Sequence, residues 1–164
     1  MNYYPSLLDA TKLSTQNGYK NIPVSLTIPN EYDDVLDIFK KLCTVSKNVF
    51  ILESVEDNKN WGRYTFLGYD PKLELTCLDR TIKIKSGTEI IIENTAPHKY
   101  IRQIIEENKS PHIEGLPSFT GGLVGYFSYD FIKYCEPGLR LDAKDEENFN
   151  DVDLMLFDKL IVID

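Results

Sequence analysis

Residues 73–93 read LELTCLDRTIKIKSGTEIIIE, and this stretch decides the fold. It holds three short runs of the apolar and β-branched residues that strands favour, at 73–78, 81–85 and 89–93. Asp79-Arg80 and Ser86-Gly87-Thr88 make tight polar links between the runs, so consecutive strands pair as hairpins. The stretch therefore predicts an antiparallel meander of short strands.

Further strands are predicted on both sides of this meander. The run 49–52 is apolar throughout, which indicates a strand that is buried on both faces. Prolines bracket a weakly alternating run at 21–28, and this favours an edge strand because proline cannot donate to an interior ladder. The remaining predicted strands are 63–67, the small and apolar segment 121–129, and one long closing strand at 152–164.

Three helices are predicted beside these strands. The first spans 6–16, and the second spans about 32–44 with Asn30 as its N-cap. Pro97 opens the third, as proline does at a first helical turn. Its inner face is formed by Tyr100, Ile101, Ile104 and Ile105.

These elements predict an α+β fold, with a largely antiparallel β-sheet and a few flanking helices. The length of 164 residues fits a single domain, so one domain is predicted across 1–164. The chain stops within one residue of a strongly apolar strand. We therefore expect it to be a fragment of a longer protein.

Composition and charge argue against several classes of partner. The net charge is −8 and the isoelectric point is about 4.8, which disfavours nucleic-acid and membrane partners, although an acidic patch could recruit a basic partner. Three cysteines, an odd number without metal-ligand spacing, predict free thiols. With no signal-peptide pattern at the start of the chain, these features predict a cytoplasmic protein.

One polar and aromatic group has the composition of a binding site. Ile51-Leu52-Glu53-Ser54 ends the apolar strand, and Trp61-Gly62-Arg63-Tyr64 follows after a short polar loop. Glu53 can accept hydrogen bonds from an ammonium group, while Trp61 and Tyr64 offer flat surfaces, so the group suits a zwitterionic aromatic ligand. A purely structural alternative is a Glu–Arg ion pair that ties the loop to the sheet, with Trp61 in the core.

No catalytic constellation or metal site is predicted. His98 and His112 lack a motif around them, and the carboxylates of 142–153 are charge-dense and are predicted to be solvated. The glycine-rich segment 121–125 lacks the lysine of a phosphate-binding loop. We therefore interpret its glycines as allowing close backbone packing.

Three segments together resemble a known family. They read FILESVE (50–56), WGRYTFLGYDP (61–71) and PSFTGGLVGYFSYD (117–130), and 151–158 resembles the end of the same region. In this order and spacing they resemble the N-terminal region of anthranilate synthase component I. The resemblance covers the chain from about residue 23 to residue 164.

The resemblance implies an enzymatic activity that requires a further domain and a further subunit. The family converts chorismate to anthranilate in tryptophan biosynthesis, with ammonia from a glutamine amidotransferase subunit (component II) and with a magnesium ion. Chorismate, magnesium and the catalytic residues belong to a C-terminal catalytic domain that this chain lacks. No catalytic residue and no cofactor are therefore expected in this chain.

The resemblance also implies a regulatory site for L-tryptophan as a feedback inhibitor. The residues it assigns to that site are Leu52, Glu53, Ser54, Trp61, Gly62, Arg63 and Tyr64. Some family members carry a lysine in the loop after the Glu-Ser pair, and Lys59 does not align clearly with it. Whether Lys59 or Arg63 meets the ligand carboxylate, or neither does, stays open at this point.

Three alternatives remain. The N-terminal domain of aminodeoxychorismate synthase component I, from the folate pathway, shares this region and can hold tryptophan as a structural ligand. A non-enzymatic amino-acid-binding module is an alternative from another class. The domain could also serve only to support the catalytic domain, with a degenerate ligand site.

Overall fold

The computed structural model describes residues 3–17, 19–32, 34–53, 63–136, 138–139 and 146–164. The chain divides into two compact units. Unit 1 comprises Met1–Asp70, Glu106–Gly121 and Lys159–Asp164, and unit 2 comprises Pro71–Ile105 and Gly122–Asp158. That the whole of 1–164 forms one regulatory domain stays a prediction.

The described residues form short strands with a few helices, which confirms the predicted α+β class. The helices are α1 (Leu7–Asn17), α2 (Val35–Val45) and α3 (Pro97–Glu107), and a 3₁₀ helix spans Tyr129–Tyr134. The strands are β1 (Tyr3–Tyr4), β2 (Ser25–Leu26), β3 (Val49–Leu52), β4 (Thr65–Tyr69), β5 (Leu73–Leu78), β6 (Thr81–Ser86), β7 (Glu89–Asn94), β8 (Gly122–Phe127), β9 (Val152–Phe157) and β10 (Leu160–Ile163).

Unit 2 contains a five-stranded antiparallel sheet in the order β7-β6-β5-β9-β8. The predicted meander is confirmed as β5, β6 and β7, because each short polar link allows the next strand to pair directly with the last. One face of the sheet buries a core cluster together with α3. Its members are Leu75, Cys77, Ile82, Ile84, Ile104, Val152, Leu154 and Leu156.

The inner face of α3 was predicted correctly except at one position. Ile104 is buried, and Tyr100 and Ile101 pack against the core cluster. Ile105 is 52% exposed, so its assignment to the inner face was wrong. Successive helix positions point about 100° apart, and Ile104 already occupies the centre of the buried face.

The predicted single closing strand is in fact two strands in different sheets. β9 pairs with β5 and β8 in unit 2, whereas β10 pairs with β4 in unit 1. The polar pair Asp158-Lys159 separates the two strands. Hydropathy alone could not reveal the break, because both strands are rich in apolar residues.

Unit 1 contains a three-stranded antiparallel sheet in the order β10-β4-β3, with α2 in contact with β3. The central strand β4 carries Leu67, which has no exposed surface. The prediction that 49–52 is buried on both faces was wrong, since β3 is an edge strand and Leu52 is 47% exposed. The edge strand predicted at 21–28 is reduced to β2, which pairs with β1.

Helix α2 begins later than predicted. Its N-cap is Asp34, whose side chain accepts a hydrogen bond from the Leu36 N–H at 2.9 Å. Asn30 accepts instead from the Tyr32 N–H, outside the helix, so its prediction as the cap was wrong. Both residues have the short polar side chain that caps a helix, and the sequence pattern does not distinguish between them.

No helix in the described ranges is long and apolar enough to cross a membrane.

Candidate ligand-binding half-site

Two of the predicted site residues lie at the open end of an edge strand. Leu52 is the last residue of β3 and pairs with Phe66 on β4, and Glu53 follows it on the exposed edge. Arg63 and Tyr64 lie just before β4, at the same end of the β3–β4 pair. Ser54, Trp61 and Gly62 lie outside the described residues, as does Lys59.

An aromatic cluster of four half-buried rings lies beside this strand end: Phe50, Tyr64, Phe66 and Phe119. The ring centroids of Tyr64 and Phe66 are 6.0 Å apart, and those of Phe66 and Phe119 are 5.5 Å apart in an edge-to-face arrangement. Phe119 also meets Phe50 edge to face at 6.3 Å. These spacings and angles are the ones that aromatic pairs prefer.

Phe119 is a contributor that the site prediction missed. It reaches the cluster from the loop between α3 and β8, more than fifty residues after Phe66 in the sequence. Its only signal was that it belongs to the 117–130 segment, which was interpreted as structural. Proximity of that loop to the β3–β4 pair is a tertiary feature that periodicity does not reveal.

Arg63 is paired with the carboxylate of Asp164, at the far end of the chain. Its Nε and Nη2 donate to Oδ1 and Oδ2 of Asp164, each at 2.5 Å. Its guanidinium carbon also lies 5.0 Å from the centroid of the Tyr64 ring. The hydrogen bond and charge of Asp164 raise the pKa of Arg63, and Arg63 in turn lowers the pKa of Asp164. The structural alternative from the sequence analysis was a Glu–Arg ion pair. The structure instead pairs Arg63 with Asp164.

The arrangement at this strand end has groups that suit ligand binding. An aromatic surface and the carboxylate of Glu53 lie at the same strand end, and such groups can contact an amino acid with a large apolar side chain. In the described part of the chain, no group of three or more His, Cys, Asp or Glu side chains could hold a metal ion.

A second polar group, in unit 2, corrects the prediction for the acidic run. Asp151 is only 2% exposed, so the prediction that all carboxylates of 142–153 are solvated was wrong. It forms an ion pair with Lys133 at 2.9 Å and accepts hydrogen bonds from the Tyr134 hydroxyl at 2.6 Å and from the Asp79 N–H at 3.0 Å. Residues 142–145 of the run lie outside the described part.

We interpret this group as structural, because the partners of the buried carboxylate among the described residues all belong to the same unit of the fold. Burial alone would lower the pKa of Lys133, but Asp79 and Asp151 outweigh it and raise that pKa. Burial and the hydrogen bond to Asp151 raise the pKa of Tyr134. Both shifts keep Lys133 charged and Tyr134 protonated, which are the forms that donate to Asp151.

The close-packing interpretation of the glycine-rich segment is confirmed at Gly125. This residue has φ 153°, and a β-carbon placed on it would lie 2.0 Å from the carbonyl oxygen of Asp153 on the paired strand β9. No side chain fits there without moving the backbone. Gly125 therefore permits the approach of β8 to β9.

Comparison with known proteins gives a consistent result. The chain is 34% identical to anthranilate synthase component 1 of Pseudomonas aeruginosa over 151 residues, which is 90% of this chain and 30% of that protein. It is 34% identical to the Acinetobacter calcoaceticus protein of the same name over 97% of this chain and 33% of that protein. It is 32% identical to the Aquifex aeolicus protein of the same name over 100% of this chain and 33% of that protein. No family model matches the chain.

The matched part corresponds to the N-terminal domain of these relatives. The chain spans about a third of the length of the curated relatives it matches. With identity of 30–34% sustained over 90–100% of its own length, the chain belongs to the anthranilate synthase component 1 family.

Proposed function

We propose that this chain is the tryptophan-sensing regulatory part of an anthranilate synthase component 1, which converts chorismate and ammonia to anthranilate. The observation that carries the proposal is the sustained identity to proteins of that name, together with the group at the end of β3. Chemistry belongs to the catalytic domain in the rest of the protein, which binds chorismate and magnesium. A glutamine amidotransferase, component II, supplies the ammonia.

The exposed end of β3 suits one face of an aromatic amino acid. Leu52 is 47% exposed and lies across the strand pair from Phe66, so apolar surface is available to an indole ring. Tyr64 adds a second ring beside Phe66. Glu53 would accept hydrogen bonds from the ligand ammonium group, and Ser54 would add a hydroxyl.

A half-site that covers one face of the ligand gains little binding free energy. An indole ring that buries about 200 Å² gains roughly 5 kcal/mol, and covering one face recovers about half of that. A millimolar dissociation constant already requires about 4 kcal/mol, and association itself has a cost, so this chain alone should bind tryptophan weakly or not at all. The opposite wall comes from the catalytic domain.

Inhibition then follows from coupling between two sites. Tryptophan bound between the regulatory and catalytic domains favours an arrangement in which the chorismate site does not close. Such couplings are typically worth about 1–3 kcal/mol and are reciprocal, so chorismate and tryptophan each weaken the binding of the other.

The test uses the gene product that contains these 164 residues. It is supplied with chorismate, ammonia and magnesium, and the product formed from chorismate is identified by chromatography. We expect 2-aminobenzoate, with inhibition by L-tryptophan and not by L-phenylalanine. Formation of 4-amino-4-deoxychorismate would assign the chain to the folate pathway, and the absence of any reaction with chorismate would favour an amino-acid-binding module.

A further inference from the structure

The ion pair between Arg63 and Asp164 gives Arg63 a role that its charge alone does not suggest. We propose that Arg63 is a positioning residue of the tryptophan half-site, which acts by anchoring to Asp164 and holding Tyr64, and that it does not bind the ligand carboxylate. This inference rests on the proposed function. It adds Asp164 to the residues on which regulation depends.

The first step is the geometry of the guanidinium. Asp164 accepts hydrogen bonds from Nε and Nη2, and this edge of the guanidinium is one that binds a carboxylate through two parallel hydrogen bonds. A ligand carboxylate that bound to the same edge would have to displace the Asp164 side chain. It would also approach the negative charge of Asp164, which repels it.

The second step is the position of Asp164 in the sheet. It follows Ile163, which pairs with Thr65 on β4, so Asp164 lies beside the residues that enter β4. The ion pair therefore ties the end of β10 to the start of β4. Arg63 lies directly before Tyr64 and β4, so the pair fixes the point at which the chain enters this sheet.

The third step leads from Arg63 to the ligand surface. The guanidinium lies 5.0 Å from the Tyr64 ring, and that ring contacts Phe66, which is opposite Leu52. A guanidinium held over an aromatic face restrains the ring by a cation–π interaction. Asp164 thus fixes Arg63, Arg63 restrains Tyr64, and Tyr64 packs against Phe66, the residue that pairs with Leu52.

Substitution of Asp164 distinguishes a ligand-binding role of Arg63 from a positioning role, because the two predict opposite changes in tryptophan inhibition. If Arg63 reads the ligand carboxylate directly, Asp164→Asn releases the guanidinium and tryptophan inhibits more strongly. If Arg63 is a positioning residue, Asp164→Asn weakens inhibition, as Arg63→Gln does. For an exposed pair we expect the inhibition constant to rise roughly two- to five-fold in each variant.

The double variant R63Q/D164N gives an independent readout. Both single substitutions remove one and the same contact, so the double variant should be no worse than Arg63→Gln alone. If Arg63 and Asp164 act separately, the two effects multiply. Asp164→Glu keeps the charge and should retain part of the inhibition, and it replaces Asp164→Asn if that variant fails to fold.

A matched control lies at the other end of the same two strands. Lys159 forms an ion pair with Asp70 at 2.5 Å, and both side chains are about half exposed, as Arg63 and Asp164 are. Asp70→Asn therefore removes an exposed tie between the ends of β4 and β10 without touching the half-site. We expect it to leave the inhibition constant unchanged.

The experiment measures the tryptophan inhibition constant, the KM for chorismate and kcat of the gene product and its variants. The proposal expects a raised inhibition constant in Arg63→Gln and Asp164→Asn, with KM and kcat unchanged. It is overturned if Asp164→Asn lowers the inhibition constant or leaves it unchanged, or if Asp70→Asn raises it equally. A wild-type protein that forms anthranilate without inhibition by tryptophan would instead contradict the proposed function, and the inference with it.

Discussion

The ring of Phe50 on β3 lies across Gly68 on β4, the residue with which it pairs. A β-carbon on Gly68 would lie 2.1 Å from the nearest atom of that ring, well inside contact distance. The same ring meets Phe119 edge to face. Gly68 therefore provides the space in which the aromatic cluster packs on the β3–β4 pair.

Gly68→Ala should destabilise the chain, because the new methyl group forces the Phe50 ring out of its place. Overpacking of this kind typically costs about 1–3 kcal/mol in free energy of unfolding. Urea denaturation of the 164-residue chain measures the loss. Gly138→Ala is the control, since nothing lies within 4 Å of its β-carbon position. Equal stability of the two variants would contradict the packing of Phe50 against Gly68.

Asp151→Ala should be among the most destabilising substitutions in unit 2. It leaves Lys133 and the Tyr134 hydroxyl without their buried acceptor, and breaking a buried pair costs about 3–5 kcal/mol. Lys133 is 26% exposed and keeps Asp79, so we expect a loss nearer to about 3 kcal/mol. Thermal unfolding checks the loss. Glu74→Ala, which breaks the more exposed pair with Lys85, should cost less than about 1 kcal/mol.

The three thiols should differ in reactivity. Cys43 and Cys135 are exposed, whereas Cys77 has no exposed surface and burial raises its pKa. Iodoacetamide should modify Cys43 and Cys135 in the native chain and should modify Cys77 only after unfolding. Mass spectrometry of the labelled peptides gives the result. Labelling of Cys77 at the rate of Cys43 would contradict its burial in the core.

The raised pKa of Cys77 also sets the sign of a pH effect. The folded chain holds this thiol proton more firmly than the unfolded chain does. The stabilisation is therefore complete below the unfolded pKa, and it is lost as pH rises through the folded pKa. We expect the free energy of unfolding to fall on the alkaline side of about pH 8.5, the ordinary thiol pKa. Cys77→Ala should flatten that fall, and an unchanged alkaline slope would count against it.

Asp34 and Asn30 should differ in their contribution to α2. Asp34→Ala removes the side chain that accepts from the Leu36 N–H, and loss of an N-cap typically costs about 1 kcal/mol. Asn30→Ala removes only a local bond to the Tyr32 N–H and should cost less. Chemical denaturation of both variants compares them. A larger loss for Asn30→Ala would restore Asn30 as the cap that its sequence position predicts.

The parts of the fold that sequence predicts are those that rest on neighbours along the chain. The hairpins of 73–94 follow from strand runs and short links, and α3 follows from Pro97 and a regular apolar spacing. The break at Asp158-Lys159 escapes prediction because apolar pattern does not specify which sheet a strand joins.

The missed parts of the candidate site rest on contacts between distant residues. Asp164 lies 101 residues from Arg63, and Asp151 lies 72 residues from Asp79. Neither pairing can therefore be predicted from the local sequence pattern. Phe119 joins the aromatic cluster in the same way. Leu52 and Glu53 could be predicted as site residues because a strand end followed by a carboxylate is a local feature.

The most direct test of the tryptophan half-site is the inhibition constant of L-tryptophan for anthranilate formation by the gene product, measured for wild type, Glu53→Gln and Glu89→Gln. Glu89 is an exposed carboxylate on β7 in unit 2 and serves as the control. A carboxylate that accepts from an ammonium group contributes about 1.5–3 kcal/mol, so Glu53→Gln should raise the constant roughly ten-fold or more. Glu89→Gln should leave it unchanged. Equal inhibition of all three proteins would contradict a tryptophan site at the end of β3.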